Sequence, residues 1–138
     1  MSTSRLVRAT FDEALAHFSD GSIDLLHIDG RHFYDDVKHD FDSWRPKLSE
    51  RAIVLFHDTE ERHGDFGVWR FWGEIRRDYP SFSFLHHHGL GVLAVGAQQS
   101  EPIRRLLAAE SVDPACEHTR QIFARLGAGI QAEFDRRQ

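Results

Sequence analysis

Cysteine, long apolar stretches and export signals are scarce or absent in this sequence, and each absence excludes a class of protein. The one cysteine, Cys116, has no second cysteine with which to form an internal disulfide. No apolar stretch approaches the ~20 residues that a transmembrane helix needs, and the N-terminal segment has no apolar core of the length found in secretory signals. We therefore expect a cytoplasmic protein without a membrane span.

Dense runs of lysine and arginine are also lacking, and the formal net charge is -5. Proteins that bind nucleic acid or anionic lipid usually carry a concentrated positive patch, so neither partner is expected. The chain has no glycine-rich phosphate loop with lysine, and no serine or cysteine in a nucleophile elbow. At 138 residues, with 41% hydrophobic and 28% charged residues, it has the composition of one globular domain over 1–138.

Two short apolar runs, at 23–29 and 52–58, each end in an aspartate. Continuous apolar runs of this length are typical of strands that are covered on both faces. Between them Phe33, Val37, Phe41 and Trp44 recur at helical spacing, which predicts a helix that ends before Pro46. This strand, helix and strand unit predicts a parallel pair of strands.

Further elements flank this unit on both sides. Residues 6–9 are a candidate short strand, and Thr10 and Glu13 have capping-box spacing ahead of a brief helix. After the second strand we predict a helix with its apolar face at Val68, Phe71, Trp72, Ile75 and Tyr79, a hairpin of 82–87 with 91–96, and two helices around Ile103 and over 122–134. The predicted fold is α/β, with a mainly parallel Rossmann-like sheet, a C-terminal antiparallel hairpin and flanking helices.

Asp29 and Asp58 are the principal candidate site residues. Neighbouring parallel strands lie ~4.8 Å apart and end at one edge of the sheet, so the two carboxylates should meet there. Carboxylate oxygens suit a hard divalent cation such as Mg2+, and His32 and His57 add nitrogen atoms near the same place. The alternative is that each aspartate only caps a helix or begins a turn.

Other histidines and tryptophans are weaker candidates. The tract His86, His87 and His88 lies where the predicted strand over 82–87 meets the hairpin connection. Alternate side chains of a strand point to opposite faces, so the three cannot all bind one ion, and we expect them to be partly exposed at the end of the hairpin. Trp44 and Trp72 lie on apolar helix faces and are predicted to be core, whereas Trp69 lies off that face. The polar loop over 59–67, with two glycines, is a candidate mobile lid.

Residues 22–40 resemble the fourth strand and following helix of a class I S-adenosylmethionine-dependent methyltransferase, in the subgroup similar to sugar O-methyltransferases and cephalosporin-hydroxylase-like enzymes. The signature there is Ile-Asp-Gly-x-His-x-Tyr, which this chain shows from Ile28 to Tyr34. Similarity continues through Trp-Arg-Pro-Lys-Leu, Val-Leu-Phe-His-Asp, Phe-Gly-Val-Trp and His-Gly-Leu-Gly-Val. The family-like core would span 6–96, with a helical extension over 97–138.

The resemblance implies a function and roles for particular residues. It implies methyl transfer from S-adenosylmethionine to a sugar hydroxyl in bacterial polysaccharide or glycan synthesis, in proteins that often carry glycosyltransferase domains as well. Asp29 and Asp58 would bind Mg2+, with His57 at a position that is often acidic in relatives. His32 would be the base or the group that orients the substrate, with Asp29 beside it.

The chain resembles only the C-terminal half of such a domain, because the glycine-rich turn that holds the cofactor does not precede Ser22. The strand at 23–29 would then have an open edge. We expect a homodimer, or pairing with the missing N-terminal half, to cover it. Two other functions stay open: a catalytically silent binding or assembly module associated with a glycosyltransferase, and a metal-dependent hydrolase that uses Asp29, Asp58 and His32.

Overall fold

The computed structural model describes Ser4 and residues 6–137, so residues 1–3, Arg5 and Gln138 of the predicted domain lie outside the described residues. The strands are β1 (Ile23–Ile28), β2 (Leu48–His57), β3 (Ser81–Phe84) and β4 (Leu90–Ala94). The helices are α1 (Phe11–Ala14), α2 (Tyr34–Trp44), α3 (Val68–Ile75), α4 (Glu101–Ala109) and α5 (Asp113–Asp135). Short 3-10 turns follow α1 and α2, at Leu15–His17 and Arg45–Lys47.

The four strands form one mixed sheet in the order β1-β2-β4-β3. The pair β1 and β2 is parallel and is joined through α2, as predicted. The pairs β2 with β4 and β3 with β4 are antiparallel. The α/β class and the hairpin are confirmed, but the prediction of a mainly parallel sheet is wrong. The reason is that β4 of the hairpin pairs directly with β2, while residues 6–9 form no strand that would add a second parallel pair.

One face of the sheet, here called the first face, is covered by α2 and α3. Alternate residues of β1, β2 and β4 point into this layer, where they meet the apolar stripes of the two helices. The buried members of this core are Leu26, Ile28, Val37, Phe41, Trp44, Val54, Phe56, Val68, Phe71, Trp72 and Leu93. Trp44 and Trp72 are therefore core residues, as the sequence predicted.

The opposite face, here called the second face, is covered only over the hairpin side of the sheet. Its buried residues are Ile53, Phe82, Phe84, Val92, Ala94 and Cys116, with Ile103, Leu106 and Leu107 of α4 packed against them. On β1 the corresponding side chain, Leu25, is 61% exposed. The second face is thus a smaller core that leaves the outer strand of the sheet uncovered.

Helix α5 is attached to the second face mainly through its first part. Arg120 forms an ion pair with Glu110 and donates a hydrogen bond from Nε to the Ser83 carbonyl at 2.8 Å. The ring of Phe123 lies 4.9 Å from that of Phe84. Within residues 6–137, no helix is long and apolar enough to cross a membrane.

Several element boundaries differ from those predicted. Phe33 is the residue before α2 rather than part of its buried stripe, and it is half exposed. Strand β2 begins four residues before the apolar run, at Leu48, because the 3-10 turn at Arg45–Lys47 leads directly into it. The capping box at Thr10 and Glu13 is confirmed, with both of its hydrogen bonds formed.

Candidate metal centre at the carboxyl end of β1 and β2

The carboxyl ends of β1 and β2 meet at one edge of the sheet. In the parallel register Ile28 lies beside Phe56, so the next residues, Asp29 and His57, follow at the same edge. Asp58 is one residue further along. The local sequence produces this convergence because the apolar run of each strand ends on a buried residue, Ile28 or Phe56, after which the polar residues begin.

The structure brings Asp29, His32 and Asp58 together, with one potential ligand atom of each lying within 4.8 Å of the others. His57 adjoins the same group, since its Nδ1 lies 2.8 Å from Asp58 Oδ1 and 3.4 Å from Asp29 Oδ1. His32 Nδ1 lies 3.0 Å from Asp58 Oδ2. All four residues proposed from the sequence therefore share one cluster, and Asp58 is at its centre.

The nitrogen atom of His57 that faces this cluster has an unusual environment. Nδ1 is buried and has no hydrogen-bond partner of acceptable geometry, although Asp58 Oδ1 lies only 2.8 Å away. A buried polar atom without a partner costs free energy unless a ligand or an ion satisfies it. Two carboxylates and two imidazole nitrogens that converge without aligned hydrogen bonds are a suitable donor set for a divalent cation.

Asp58 is held in a specific and rare backbone conformation. Its φ of 62° lies in the left-handed region, which aspartate tolerates better than most residues other than glycine. Its side chain is only 10% exposed, and the next residue, Thr59, is almost fully buried. Such conformations are kept where the surrounding structure enforces them, and they occur often at functional sites.

The loop over 59–67 holds His32 in place from the opposite side. The ring of Phe66 stacks on that of His32 with centroids 4.7 Å apart and an interplanar angle of 4°. The Gly67 amide donates a hydrogen bond to the His32 carbonyl at 2.7 Å. Gly67 approaches so close to Tyr34 that a Cβ atom would overlap the Tyr34 backbone nitrogen. Only glycine allows α2 and α3 to begin this close together.

A cleft of about 540 Å³ opens beside the cluster. It is lined by Gly30, Arg31, His32, Phe33, His63, Gly64, Asp65 and Phe66. The two phenylalanines offer apolar walls, and Arg31 offers a charged donor. A second cleft of about 560 Å³ lies between the end of β4 and α4, but none of the cluster residues lines it. The cleft beside His32 is therefore the candidate acceptor site.

At the rim of the site, His88 from the hairpin connection contacts Glu61 from the loop. The hydrogen bond between them raises the pKa of His88 above its ordinary value and lowers that of Glu61. Gly89, with φ of +82°, keeps the hairpin connection close to Thr59 and Glu60. His88 is exposed and Glu61 is partly exposed, so the pair joins the loop to the hairpin at the surface.

Sequence reasoning missed the residues that position the cluster. It marked the loop over 59–67 as a candidate lid, yet it assigned no role to Phe66, Gly67 or Glu61. The signal that was available is the Phe-Gly-Val-Trp segment, in which a glycine directly precedes an amphipathic helix. Trp69, singled out from the sequence, is 36% exposed and donates a hydrogen bond to the Phe66 carbonyl at 3.0 Å. It supports the loop rather than facing the cluster.

Comparison with known proteins supports the resemblance in its coarse form. Residues 2–59 match a family model described as a methyltransferase domain. This segment contains α1, β1, α2 and β2, and it ends directly after Asp58. The similarity to a methyltransferase therefore covers the cluster as well as the parallel part of the sheet.

One curated relative extends the similarity further along the chain. An uncharacterized protein of Sinorhizobium fredii is 55% identical over 107 residues, which cover 75% of this chain. The chain spans about 12% of the length of that relative. No solved structure matches the chain with significance.

S-adenosylmethionine, which methyltransferases generally use, does not fit the residues of this chain alone. Gly21 is the only glycine before β1, so no glycine-rich turn precedes that strand in the sequence. A dinucleotide-like cofactor is normally held by such a turn and by an acidic residue at the end of the next strand.

Proposed function

We propose that this chain is the cation-binding and acceptor-binding part of an S-adenosylmethionine-dependent O-methyltransferase, with a sugar hydroxyl as acceptor. The observation behind the proposal is the cluster of Asp29, His32 and Asp58 at the carboxyl edge of β1 and β2, within a segment similar to a methyltransferase domain. The adjoining cleft of about 540 Å³ is large enough for a monosaccharide unit.

The chain's own residues would bind a cation, orient the acceptor and accept its proton. Asp29 and Asp58 supply carboxylate oxygens, and His57 supplies a buried nitrogen that makes no hydrogen bond. A cation held there would lower the cost of ionising an acceptor hydroxyl. His32 is positioned to take that proton, because its Nδ1 lies 3.0 Å from Asp58 Oδ2 and its ring is held by stacking on Phe66.

The donor set argues for a cation with some affinity for nitrogen. Mg2+ prefers oxygen ligands and keeps several waters, whereas Mn2+ and Fe2+ accept imidazole together with carboxylate. His57 stands where relatives in the resembled subgroup often have an acidic residue. We therefore propose that Mn2+ binds more tightly than Mg2+ at this cluster.

The free edge of β1 is the place where a cofactor-binding segment would pair. Within the described residues β1 pairs only with β2, so its outer backbone groups are open. An apolar groove of about 350 Å³ lies beside this edge, and Val7, Phe18 and Leu25 are among the residues that line it. We propose that a strand from another segment or another chain, bearing the glycine-rich turn, covers this edge.

The second candidate function is a catalytically silent module that binds a saccharide or a glycosyltransferase partner. The observation in its favour is that the acceptor cleft and the cation cluster can bind ligands without a methyl donor. The two candidates agree on cation binding and differ on the cofactor. Binding of S-adenosylmethionine therefore separates them.

Isothermal titration calorimetry tests the site first. We expect one Mn2+ per chain, and Asp58→Asn should lower the affinity at least 10-fold because Asp58 contacts both histidines. The matched control is Asp78→Asn, which removes the same charge from an exposed position beyond α3 and should leave the affinity unchanged. Equal Mn2+ affinity for Asp58→Asn and wild type would refute the metal centre.

The His32→Gln variant then tests whether His32 acts as a metal ligand or as a base. A ligand role predicts weaker Mn2+ binding, whereas a base role predicts unchanged binding and loss of methyl transfer. Turnover is measured with S-adenosylmethionine, a set of monosaccharide acceptors and Mn2+, in the presence of the segment that bears the glycine-rich turn. If Mn2+ binds while millimolar S-adenosylmethionine does not, even with that segment present, the silent binding module replaces the enzyme. Turnover of an ester or phosphate substrate without a methyl donor would instead support a hydrolase.

A further inference from the structure

Helix α5 presents an apolar stripe to solvent along the part that extends beyond the second face. Its members are Ile122, Phe123, Leu126, Ile130 and Phe134, whose exposed fractions are 43%, 47%, 59%, 71% and 56%. A monomer rarely exposes large apolar side chains in a continuous row. The stripe therefore needs a partner surface.

We propose that the stripe is the interface of a homodimer, in which two α5 helices pack against each other in antiparallel orientation. This inference rests on α5 alone and does not depend on the cation site. It places the dimer contact on the second-face side of the molecule, away from the open edge of β1.

The area of the stripe is close to what a dimer needs. Large apolar side chains bury roughly 150–250 Å² each when fully covered, so five half-exposed ones offer on the order of 500 Å² per copy. Two copies would bury about 1,000 Å² from these side chains. With the flanking polar groups, the total approaches the ~1,200 Å² at the lower limit of specific interfaces.

The spacing of the stripe is self-complementary. Ile122, Leu126, Ile130 and Phe134 follow one another at intervals of four. A two-fold axis between Leu126 and Ile130 therefore sets each of these two residues against the other in the second copy. Rows spaced by four interdigitate when two helices cross at an angle of about 50°. The same patch then serves both subunits, as an isologous interface requires.

Charges beside the stripe agree with the antiparallel orientation. Arg125 and Glu133 lie on the same side of the stripe. Their midpoint in the sequence is residue 129, one residue from position 128, where the two-fold axis between Leu126 and Ile130 passes the helix. The two-fold therefore brings Arg125 of one copy towards Glu133 of the other, twice. A parallel two-fold arrangement would put the rows that carry Arg125 and Glu133 on opposite sides of the interface and lose both pairs.

Sedimentation velocity tests the dimer. The wild-type chain should sediment at twice its mass of 16.0 kDa at tens of micromolar concentration. Leu126→Asp should sediment as a monomer, because the substitution should raise the dissociation constant of the dimer at least 100-fold. The matched control, Ala128→Asp, places the same charge on the opposite side of the helix and should remain dimeric. Circular dichroism of each variant checks that the chain is folded.

Cysteine cross-linking tests the orientation independently of affinity. Under oxidation, an equimolar mixture of Leu126→Cys and Ile130→Cys chains should form mainly the mixed disulfide, whereas parallel helices would link identical positions. Wild type, whose Cys116 is buried, is the background control. A monomeric wild type, a Leu126→Asp variant that stays dimeric, or links mainly between identical positions would each overturn the proposal.

Discussion

The two faces of the sheet differ in how completely they are covered and in what they support. The first face packs two helices over three strands with an aromatic cluster, and Phe41 and Phe56 in it are at most 1% exposed. On the second face, the helices cover the hairpin strands and Ile53 of β2, and α5 continues into solvent with an exposed apolar stripe. The contrast shows that the first-face core is closed within one chain, whereas the second face leaves apolar side chains of β1 and α5 exposed.

The candidate metal centre depends on the first face. Helices α2 and α3 begin beside the cluster, and Gly67 joins their starts to the carbonyl of His32. The Tyr34 hydroxyl donates a hydrogen bond to Glu74 at 2.6 Å, which fixes the two helices to each other. Changes in the first-face core should therefore reach the site, while changes along α5 should not.

The largest expected effect is on global stability. Phe41→Ala should lower the free energy of unfolding by about 3–5 kcal/mol, because the cavity is closed in by the rings of Phe56, Phe71 and Tyr79 and cannot collapse. Phe84→Ala on the second face should cost at least about 1 kcal/mol less, since its neighbour Phe123 is half exposed and can move into the space. Urea denaturation of both variants measures the difference, and equal losses would mean that the two faces are equally rigid.

An intermediate effect is expected from adding one methyl group at the start of α3. Gly67→Ala forces the loop away from Tyr34, breaks the hydrogen bond to His32 and should cost about 1–3 kcal/mol of stability. It should also weaken Mn2+ binding, measured by calorimetry, because His32 moves relative to Asp58.

Two other glycines provide controls for the Gly67→Ala substitution. A Cβ atom on Gly73 in α3 or on Gly127 in α5 would meet no atom within 4 Å. Alanine at either position should leave Mn2+ affinity unchanged and raise helix stability by up to about 1 kcal/mol. A loss of Mn2+ affinity in Gly127→Ala would show that α5 is coupled to the site and would remove the distinction between the faces.

The smallest effect is expected at the rim, where neither face covers the pair of Glu61 and His88. Because the pKa of His88 is raised above 6.5, its contribution is complete below that value and is lost as the pH rises through the higher folded pKa. Because the pKa of Glu61 is lowered below 4.5, its contribution is lost only as the pH falls through the lower folded pKa. The pair therefore stabilises the fold most between about pH 5 and 6.

Thermal unfolding across pH measures this contribution. His88→Gln should lower the midpoint slightly near pH 5.5 and leave it unchanged at high pH. Glu61→Gln should have the same effect, and the double variant should add nothing further. An equal loss at every pH would instead indicate a packing role for His88.

Sequence patterns predicted the helices and strands more reliably than they predicted which strands pair with one another. The apolar runs and the stripe of Val37, Phe41 and Trp44 identified β1, α2 and β2, since their periodicity depends only on which side is buried. The same patterns could not show that β4 would pair with β2, because strand order depends on long-range packing. For the site, the aspartate at each strand end was predictable from topology, but Phe66 and Gly67 were not, because their role arises from a contact with a segment some 30 residues earlier.

What the sequence determined by itself is the local chemistry. It determined two apolar strands that are each followed by an aspartate, a histidine three residues after the first aspartate, and a C-terminal helix with apolar residues at every fourth position. Only the tertiary structure decided that these aspartates share one cluster with both histidines, and that the apolar residues of α5 point into solvent. The physical reason is that periodicity records which side of an element is apolar, whereas the surface that covers that side is supplied by residues distant in the chain.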